Sequence, residues 1–504
     1  MIHSATRLLK SGVRLALGKL GYGLVRLPKD RSILPASQVA GFDQDRLSAS
    51  AESTNPAANL DPPDGMEASA PAAIGTGGFR LDPFTRVNDT VAPDIFIESH
   101  DLKKTPLGVL LDLLEGYARP LAEGKRTLVW LFERTGATGH LCMEPFYIKS
   151  VYGELFDEII VITRQRHSCH NSNTEIFDTS MTGMKVAFTD DPYIFNLSAY
   201  EIGLVERGPF AFLLHSYAHI SRAFFHHCLN GGRKTFFTLT PNQEERGRKA
   251  FSDLGIPSDA KWVVVHAREG GFHPRSIDNN RCTSIESYFD SVKYLVSQGY
   301  FVLRVGDRTM KRLPDFGGQV YDVPFLPNYD FMLDVFAVAH CEFMMSANSG
   351  PCMLARAFDR PCLAINVPLI FAHIPGERDM VAFRRYFLAG VKGAPPRLLS
   401  YREIVDSGLQ YVSIDRSFRE QNISFRELTS AEVMPITREM FQRQTVSHST
   451  PPRSHDRFMA INRLAHERAS RDPALQRIRY DWYGLAKKGS GIPEAYCELL
   501  LDFL

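Results

Sequence analysis

The sequence predicts an α/β protein of two Rossmann-like, doubly wound domains facing a cleft. Three observations carry that expectation. Between residues 250 and 400, short apolar runs alternate with amphipathic stretches of helix length, the pattern of parallel strands joined by crossover helices. The run Trp262-Val-Val-Val-His266-Ala-Arg268-Glu-Gly-Gly271 reads as a strand covered on both faces that ends on polar residues and glycines. A separate strand–turn–helix–strand pattern occupies residues 125–163, upstream of it. A chain of 504 residues is too long for one ordinary core, so two domains are expected.

Composition narrows the function classes. Hydrophobic content of 44% and charged content of 23% are those of an ordinary globular protein. The 58 basic and 57 acidic residues nearly cancel, which argues against a nucleic-acid partner. The eight cysteines include no CxxC pair and fall largely in apolar runs, so they read as reduced core thiols of a cytoplasmic protein. No apolar run is long enough to span a bilayer.

The first element, residues 1–34, is expected to be a basic amphipathic helix. Arg7, Lys10, Arg14, Lys19, Arg26, Lys29 and Arg31 alternate with Leu8, Leu9, Val13, Leu15, Leu17 and Leu20. Such a helix suits an anionic membrane surface and equally a solvated or packed helix end; the first alternative puts the protein at the inner face of the membrane. Residues 35–94 are rich in Ala, Ser, Pro, Asp and Gly and read as a flexible linker. A first domain follows at 95–248. Lys125–Phe132 is a buried strand, Gly136-Ala-Thr-Gly139-His140 a turn, Pro145, Ile148 and Val151 lie on a helix, and Glu158–Thr163 is a second strand.

The second domain is expected at 249–400. Its strands are Trp262–Ala267, Phe301–Gly306, Gln319–Val323, Glu342–Ser346 and Pro361–Asn366. Thr283-Ser-Ile-Glu286 has the spacing of a capping box, opening a helix that Gly299 ends. Asp330 caps a helix carrying Leu333, Phe336 and Ala339, and Ser349-Gly350 opens one running to about Asp359. Residues 401–504 form an extension whose last helix, Glu494–Leu504, is expected to cross back to the first domain.

Four strand ends of the second domain finish on polar residues: His266 with Arg268, Arg304 with Asp307, Ser346 with Asn348 and Ser349, and Asn366. In a parallel sheet they share one edge, where open α/β folds bind ligands. Arg268 offers a planar fork to a phosphate, and the N-terminus opened by Gly350 offers free N–H groups and a dipole. Asp307 suits a ribose or base hydroxyl. These residues are the candidate phosphate-binding site, each with a capping or turn role as its bland alternative. In the first domain, His140 suits a general base at the mouth of the cleft. Glu144 is the alternative base or the group that orients His140; the bland alternative is that His140 caps its helix. His215, His219, His226 and His227 lack the glutamate of a zinc motif. The one short Asp-x-Asp, Asp43-Gln-Asp45, lies in the linker, so neither a metal nor a cofactor is expected.

His266-Ala-Arg268-Glu-Gly-Gly-Phe272, Arg281-Cys-Thr-Ser-Ile-Glu-Ser-Tyr288, Val302-Leu-Arg304-Val-Gly-Asp307, Ser346-Ala-Asn-Ser-Gly350 and Pro361-Cys-Leu-Ala-Ile-Asn366 together resemble a family of bacterial glycosyltransferases with the GT-B fold. The His-x-Arg strand end is similar to the donor site of fucosyltransferase-like enzymes. The Gly136–His140 turn resembles the glycine-rich first loop of GT-B enzymes that glycosylate lipid-linked acceptors. One departure is clear: the fucosyltransferase-like pattern continues with another basic residue and Gly-Asp, whereas Glu269-Gly-Gly follows here. The resemblance implies transfer of a sugar from a nucleotide-diphosphate donor to a glycan or lipid-linked acceptor. His266, Arg268 and the Ser346–Gly350 loop would stabilise the leaving diphosphate. Rival readings are a GT-B-like protein that binds nucleotide or glycan without turnover, and a nucleotide-sugar epimerase.

Overall fold

The computed structural model describes residues 86–88, 96–97, 105–164, 174–189, 203–215, 217–270, 281–368, 378–390, 394–407, 415–445 and 491–499, with 191, 194, 409, 456 and 460 between them. The expected helix at 1–34 and most of the expected linker at 35–94 lie outside these residues.

Two six-stranded sheets organise the chain. The first holds β1 (Arg86–Asn88) and, after a short ribbon of β2 (Phe96–Ile97) and β3 (Thr105–Pro106), β4 (Thr127–Phe132), β5 (Glu158–Thr163), β6 (Lys185–Phe188), β7 (Gly203–Arg207) and β8 (Phe210–Leu214). Its order is β1-β7-β8-β4-β5-β6. Strands β8, β4, β5 and β6 run parallel, whereas β7 returns antiparallel into β8. The connecting residues are Gly208-Pro209, and Gly208 takes the positive φ of 57° that a two-residue hairpin loop needs. Strand β1 falls inside the stretch expected to be linker; its pairing with β7 draws that stretch into the sheet.

The second sheet holds β9 (Trp262–His266), β10 (Phe301–Arg304), β11 (Val320–Asp322), β12 (Met344–Ser346), β13 (Cys362–Val367) and β14 (Met380–Phe383). All are parallel, in the order β11-β10-β9-β12-β13-β14. Numbered along the chain, that is the 3-2-1-4-5-6 order of a doubly wound dinucleotide-binding sheet. The order in which strands are added reverses between β9 and β12, where His266 and Ser346 are register partners. The chain is therefore an α/β protein of two Rossmann-like domains, the first with an antiparallel hairpin added. A third sheet of β15 (Arg385–Leu388), β16 (Arg397–Leu398) and β17 (Ile423–Arg426) follows the second.

The period of two along each strand sorts side chains between cores. Val129 and Leu131 of β4 face an outer core with Leu107, Leu110, Leu111 and Leu114 of α1 (Leu107–Ala118). Leu128, Trp130 and Phe132 face the other way. There they meet α2 (Thr138–Tyr152), α3 (Thr174–Met181) and α4 (Tyr217–Leu229). The same core continues through α5 (Pro241–Asp253) into the second domain, taking in Trp262 and Val264 of β9. Val263 and Val265 turn to a third core behind the second sheet, with α6 (Phe289–Ser297). One middle core thus joins both sheets, together with α7 (Phe331–His340) and α8 (Gly350–Ala357).

Helix backbones approach closely in that middle layer where α2 crosses α8. A Cβ added at Gly139 would lie 3.5 Å from Gly350 Cα, and one at Gly350 would lie 2.8 Å from Thr138 Cβ and 2.9 Å from Gly139 N. Polar links flank the crossing. Phe237 N–H donates to the Ala357 carbonyl at 2.7 Å. Arg246 of α5 bridges Glu175 at 2.8 Å and Asp330 at 3.0 Å, so one guanidinium ties α3 to the cap of α7.

Three details differ from the sequence expectation. The N-cap before α6 is Ser284, which accepts from Glu286 N and opens a 3₁₀ turn over Ile285–Tyr288; Thr283 is one residue too early. The terminal helix Glu494–Leu499 stays on the second domain instead of crossing to the first. Gly491 bridges to Met380 beside β14, and the fully buried Tyr496 donates to the Phe383 carbonyl at 3.2 Å. The second domain accordingly does not end at 400: Tyr401, Ile404, Val433, Ile436 and Met440 lie in its outer core. Among the described residues, no helix is long and apolar enough to cross a membrane.

The crossing makes opposite predictions for its two glycines. Gly350→Ala places a methyl group against backbone and should destabilise by about 1–3 kcal/mol, the usual cost of overpacking. Gly139→Ala meets only ordinary van der Waals contact and should be neutral, or stabilising by up to about 1 kcal/mol through helix propensity. Urea unfolding of both variants checks the sign of each change.

Candidate functional site

The edge of the second sheet at the β9–β12 reversal collects most of the expected residues, in distinct circumstances. Arg268, two residues beyond β9, is partly exposed. Its backbone carbonyl accepts from Thr283 N at 2.8 Å. Among the described residues its guanidinium makes neither a hydrogen bond nor an ion pair. The other arginines near this edge are engaged: Arg281 with Asn348, Arg356 with Asp379, Arg384 with Glu427, Arg385 with Glu432. Among the described residues, no carboxylate therefore pairs with Arg268 at this sheet edge.

Ser346, Asn348, Ser349 and Gly350 line the turn from β12 into α8. The Ser346 hydroxyl is fully buried and donates to the Ala347 carbonyl at 2.7 Å, a local bond that shapes the turn. Asn348 receives Arg281 Nη2 on both its backbone and its side-chain oxygen, each at 3.1 Å. Arg281 is a residue that the sequence reading quoted in a motif but gave no role; the geometry makes it a second cation beside the turn. Ser349 is the N-cap of α8 and only 5% exposed, yet its hydroxyl has no hydrogen-bond partner. Gly350 opens the helix and touches the other domain, so its missing side chain serves the interdomain contact.

His266 differs from expectation in its charge. Its Nδ1–H donates to the Val305 carbonyl at 3.0 Å, and burial, aided by Arg304 and Arg268, lowers its pKa to about 4. A neutral imidazole cannot neutralise a diphosphate. With the proton fixed on Nδ1, the Nε2 lone pair accepts, which suits a hydroxyl.

Arg304 is corrected from donor-site residue to structural one. It is fully buried, and its terminal nitrogens reach Glu269 at 3.1 Å, Asp322 at 3.0 Å and the Lys311 carbonyl at 2.6 Å. Glu269, the acid that follows Arg268, is thus engaged by Arg304. Asp307 folds back on Thr309, accepting from its N–H at 2.7 Å and from its hydroxyl, and so shapes the turn after β10. Asn366 takes a left-handed φ of 55°, and its side-chain oxygen accepts from Leu428 N at 2.8 Å while its amide nitrogen has no partner. Next to Gly306 lies a group that the sequence did not signal. Burial pushes the Asp334 carboxyl up to about 8, with Tyr329 Oη 2.8 Å away. Its position inside an apolar helix gave only the look of a surface residue.

In the first domain, α2 places His140 and Glu144 one turn apart. His140 Nδ1–H donates to Glu144 at 2.8 Å, and Arg134 Nη1 donates to His140 Nε2 at 3.3 Å. The ring stacks edge-on against Tyr217, with centroids 4.6 Å apart. His140 is not the helix cap: the N-cap is Ala137, which has no side chain to bond with. The imidazole is held in one tautomer by a carboxylate, the arrangement of a base and its orienting group. Since Gly139 touches Gly350, this pair sits beside the β12–α8 turn of the other domain. His215 and His219 stack with ring centroids 5.3 Å apart.

No known protein family matches the sequence, and no curated protein matches it. Solved structures align at low similarity. The dodecameric iron-containing heptosyltransferase TibC, in complex with ADP-D-beta-D-heptose, is 14% identical, with 64% of this chain and 78% of that one covered and a TM-score of 0.34. E. coli ADP-heptose LPS heptosyltransferase II is 11% identical, with 59% and 97% covered and a TM-score of 0.32. A family 9 glycosyl transferase from Veillonella parvula is 10% identical, with 51% and 86% covered and a TM-score of 0.33.

The His266 environment predicts a pH dependence of stability. Below the ordinary histidine pKa of about 6.5 the unfolded chain takes up a proton that the folded chain refuses until about 4. The His266 contribution therefore makes stability fall as pH drops through that window. His266→Asn keeps a donor for the Val305 carbonyl and removes the titration, so its urea midpoint should fall less than that of the parent between pH 6.5 and 4.5.

Proposed function

We propose that the protein is a glycosyltransferase that moves a sugar from a nucleotide-diphosphate donor to a glycan or lipid-linked acceptor. One observation carries the reading: the partnerless Arg268 guanidinium and the partnerless, buried Ser349 hydroxyl flank the winding reversal of a 3-2-1-4-5-6 sheet. Buried polar groups are normally satisfied, so the Ser349 hydroxyl argues for a ligand, and the partly exposed Arg268 beside it favours one rich in acceptors. A diphosphate fits, with Arg268 supplying its fork and α8 its N-terminal dipole. Arg281, fixed on Asn348, adds a second positive charge, and His266 Nε2 offers an acceptor for a hydroxyl of the nucleoside.

The leaving diphosphate then develops charge where cations and free amides are already in place, which is the form of stabilisation that lowers a barrier most. This charge set is sufficient without a metal. His140, oriented by Glu144, removes the proton of the acceptor hydroxyl as that oxygen attacks the anomeric carbon. Arg134, now on Nε2, must move aside for the hydroxyl to reach that nitrogen. A basic stretch from Arg7 to Arg31 suits action at an anionic membrane face, where lipid-linked acceptors reside. An epimerase reading is weaker because a base opposite the donor turn serves an external hydroxyl.

Two experiments test this reading. Incubation with a panel of nucleotide sugars should release free nucleoside diphosphate in the presence of acceptor glycolipid, and should continue in EDTA. Arg268→Ala should weaken nucleoside diphosphate binding by about 2–5 kcal/mol, with Arg268→Lys recovering only part. Unchanged affinity in Arg268→Ala removes that residue from the site. In the second experiment, His140→Ala should slow the chemical step by about 10²–10⁴-fold while leaving nucleotide affinity nearly intact. Single-turnover kinetics read that split.

A further inference from the structure

The working nitrogen of His140 is covered. Its Nδ1 carries the proton donated to Glu144 at 2.8 Å, so only Nε2 can accept a proton from a substrate. Arg134 Nη1 donates into that same Nε2 lone pair at 3.3 Å. The guanidinium also lies 5.7 Å from the centre of the Tyr217 ring, which packs edge-on against the imidazole. These contacts hold Arg134 weakly. A hydrogen bond to a neutral nitrogen and a solvent-facing cation–π contact are among the lesser attachments of an arginine. A bond to a carboxylate or phosphate is roughly twice as strong as a neutral one, and a guanidinium can make two at once. Arg134 has that capacity to spare. It is exposed, and among the described residues no carboxylate pairs with it. The acid that precedes it, Glu133, is taken by Arg164 at 3.0 Å, and Glu144 is engaged on Nδ1 of the same imidazole.

We propose that Arg134 is an oxyanion receptor that uncovers the base. A phosphate or carboxylate of the acceptor draws the guanidinium off Nε2, and the hydroxyl to be glycosylated takes its place. That hydroxyl then gives its proton to Nε2 as its oxygen bonds the anomeric carbon, and the diphosphate leaves with the electron pair of the broken C–O bond. This rests on the reading of His140 as the base of a glycosyl transfer. It narrows the acceptor to molecules that carry an anionic group beside the reactive hydroxyl. It also gives the cover a use. Water is neutral and leaves Arg134 where it is, so a bound donor meets no free base until the acceptor arrives.

Labelling the histidines of the full chain with ¹⁵N gives a direct test, with His140→Gln to assign the His140 signals. Spectra are recorded at one pH and one ionic strength for the parent and Arg134→Ala, alone and with inorganic phosphate, acetate or chloride. Arg134→Ala should shift the Nε2 resonance, because the lone pair loses its donor. Phosphate or acetate should move the parent signal toward the Arg134→Ala position, and chloride should not. The stronger of the two anions tells a phosphate acceptor from a carboxylate one. An Nε2 signal unmoved by Arg134→Ala, or unmoved in the parent by both anions, overturns the cover. Turnover supplies an independent arm, with thermal midpoints as the fold control. Without acceptor, Arg134→Ala should release nucleoside diphosphate from the nucleotide sugar about 2–10-fold faster than the parent, the worth of one neutral hydrogen bond. With acceptor glycolipid its KM should rise about tenfold, and Arg134→Lys should restore part of that loss. Release without acceptor that is slowed, as for His140→Ala, places Arg134 in the chemical step and overturns its role as a cover. If the parent turns over no nucleotide sugar at all, the glycosyltransferase reading fails and the acceptor inference falls with it; unmoved spectra beside normal turnover sink the cover alone.

Discussion

The rest of the structure depends on one contact, the approach of Gly139 to Gly350 where α2 crosses α8. A parallel sheet gathers its strand ends on one edge, but that edge becomes a cleft only when something opposes it. Here the opposing wall is fixed by Gly350, whose missing side chain lets its backbone approach Thr138 and Gly139 of α2. The contact brings the turn after β4 to the turn after β12. His140 and Glu144 follow on one side, and Asn348 and Ser349 precede on the other. Each sheet alone presents a few polar strand ends. Opposed at this distance, the His140–Glu144 pair and the β12–α8 turn lie side by side across the domain contact.

A second constraint decides which strand-end residues remain available. The end of β10 carries Arg304, whose charge lies beneath the surface and is compensated by Glu269 and Asp322. Removing a charge from water is favourable only when partners of this geometry replace the water. Once Glu269 is committed to Arg304, it is drawn away from Arg268, which precedes it directly in sequence. The buried pair thus keeps the outer arginine from being neutralised by its own neighbour. A paired and an unpaired charge are therefore adjacent along the chain, Glu269 bound to Arg304 and Arg268 without a partner among the described residues.

The sequence made the second domain legible almost strand by strand, because fully covered parallel strands are unbroken apolar runs with turn residues between them. Trp262–His266, Phe301–Arg304 and Cys362–Val367 stand close to where their patterns put them. The hairpin of β7 and β8 was missed, and so was β14, since Met380–Phe383 has the look of any short apolar stretch. The terminal helix was misplaced because amphipathicity fixes that a face is buried without saying against which domain. Among site residues, position was easier to read than state. His266 does stand at the reversal, but its neutrality follows from burial and from the Val305 carbonyl, both products of tertiary packing. Arg304 and Arg268 are alike as sequence, each an arginine at the end of an apolar run. Only the partners brought by distant segments distinguish them.

The middle core has a consequence for how such a molecule can diversify. Trp130 of the first sheet and Trp262 of the second border the same apolar layer, and the chain passes through that layer on its way between them. Two halves that share an interior cannot be exchanged like beads on a string. A replacement for either would have to match the packing surface of the other. Selection can therefore act freely on the loops at the two sheet edges, while the seam beneath them descends as a single inherited unit.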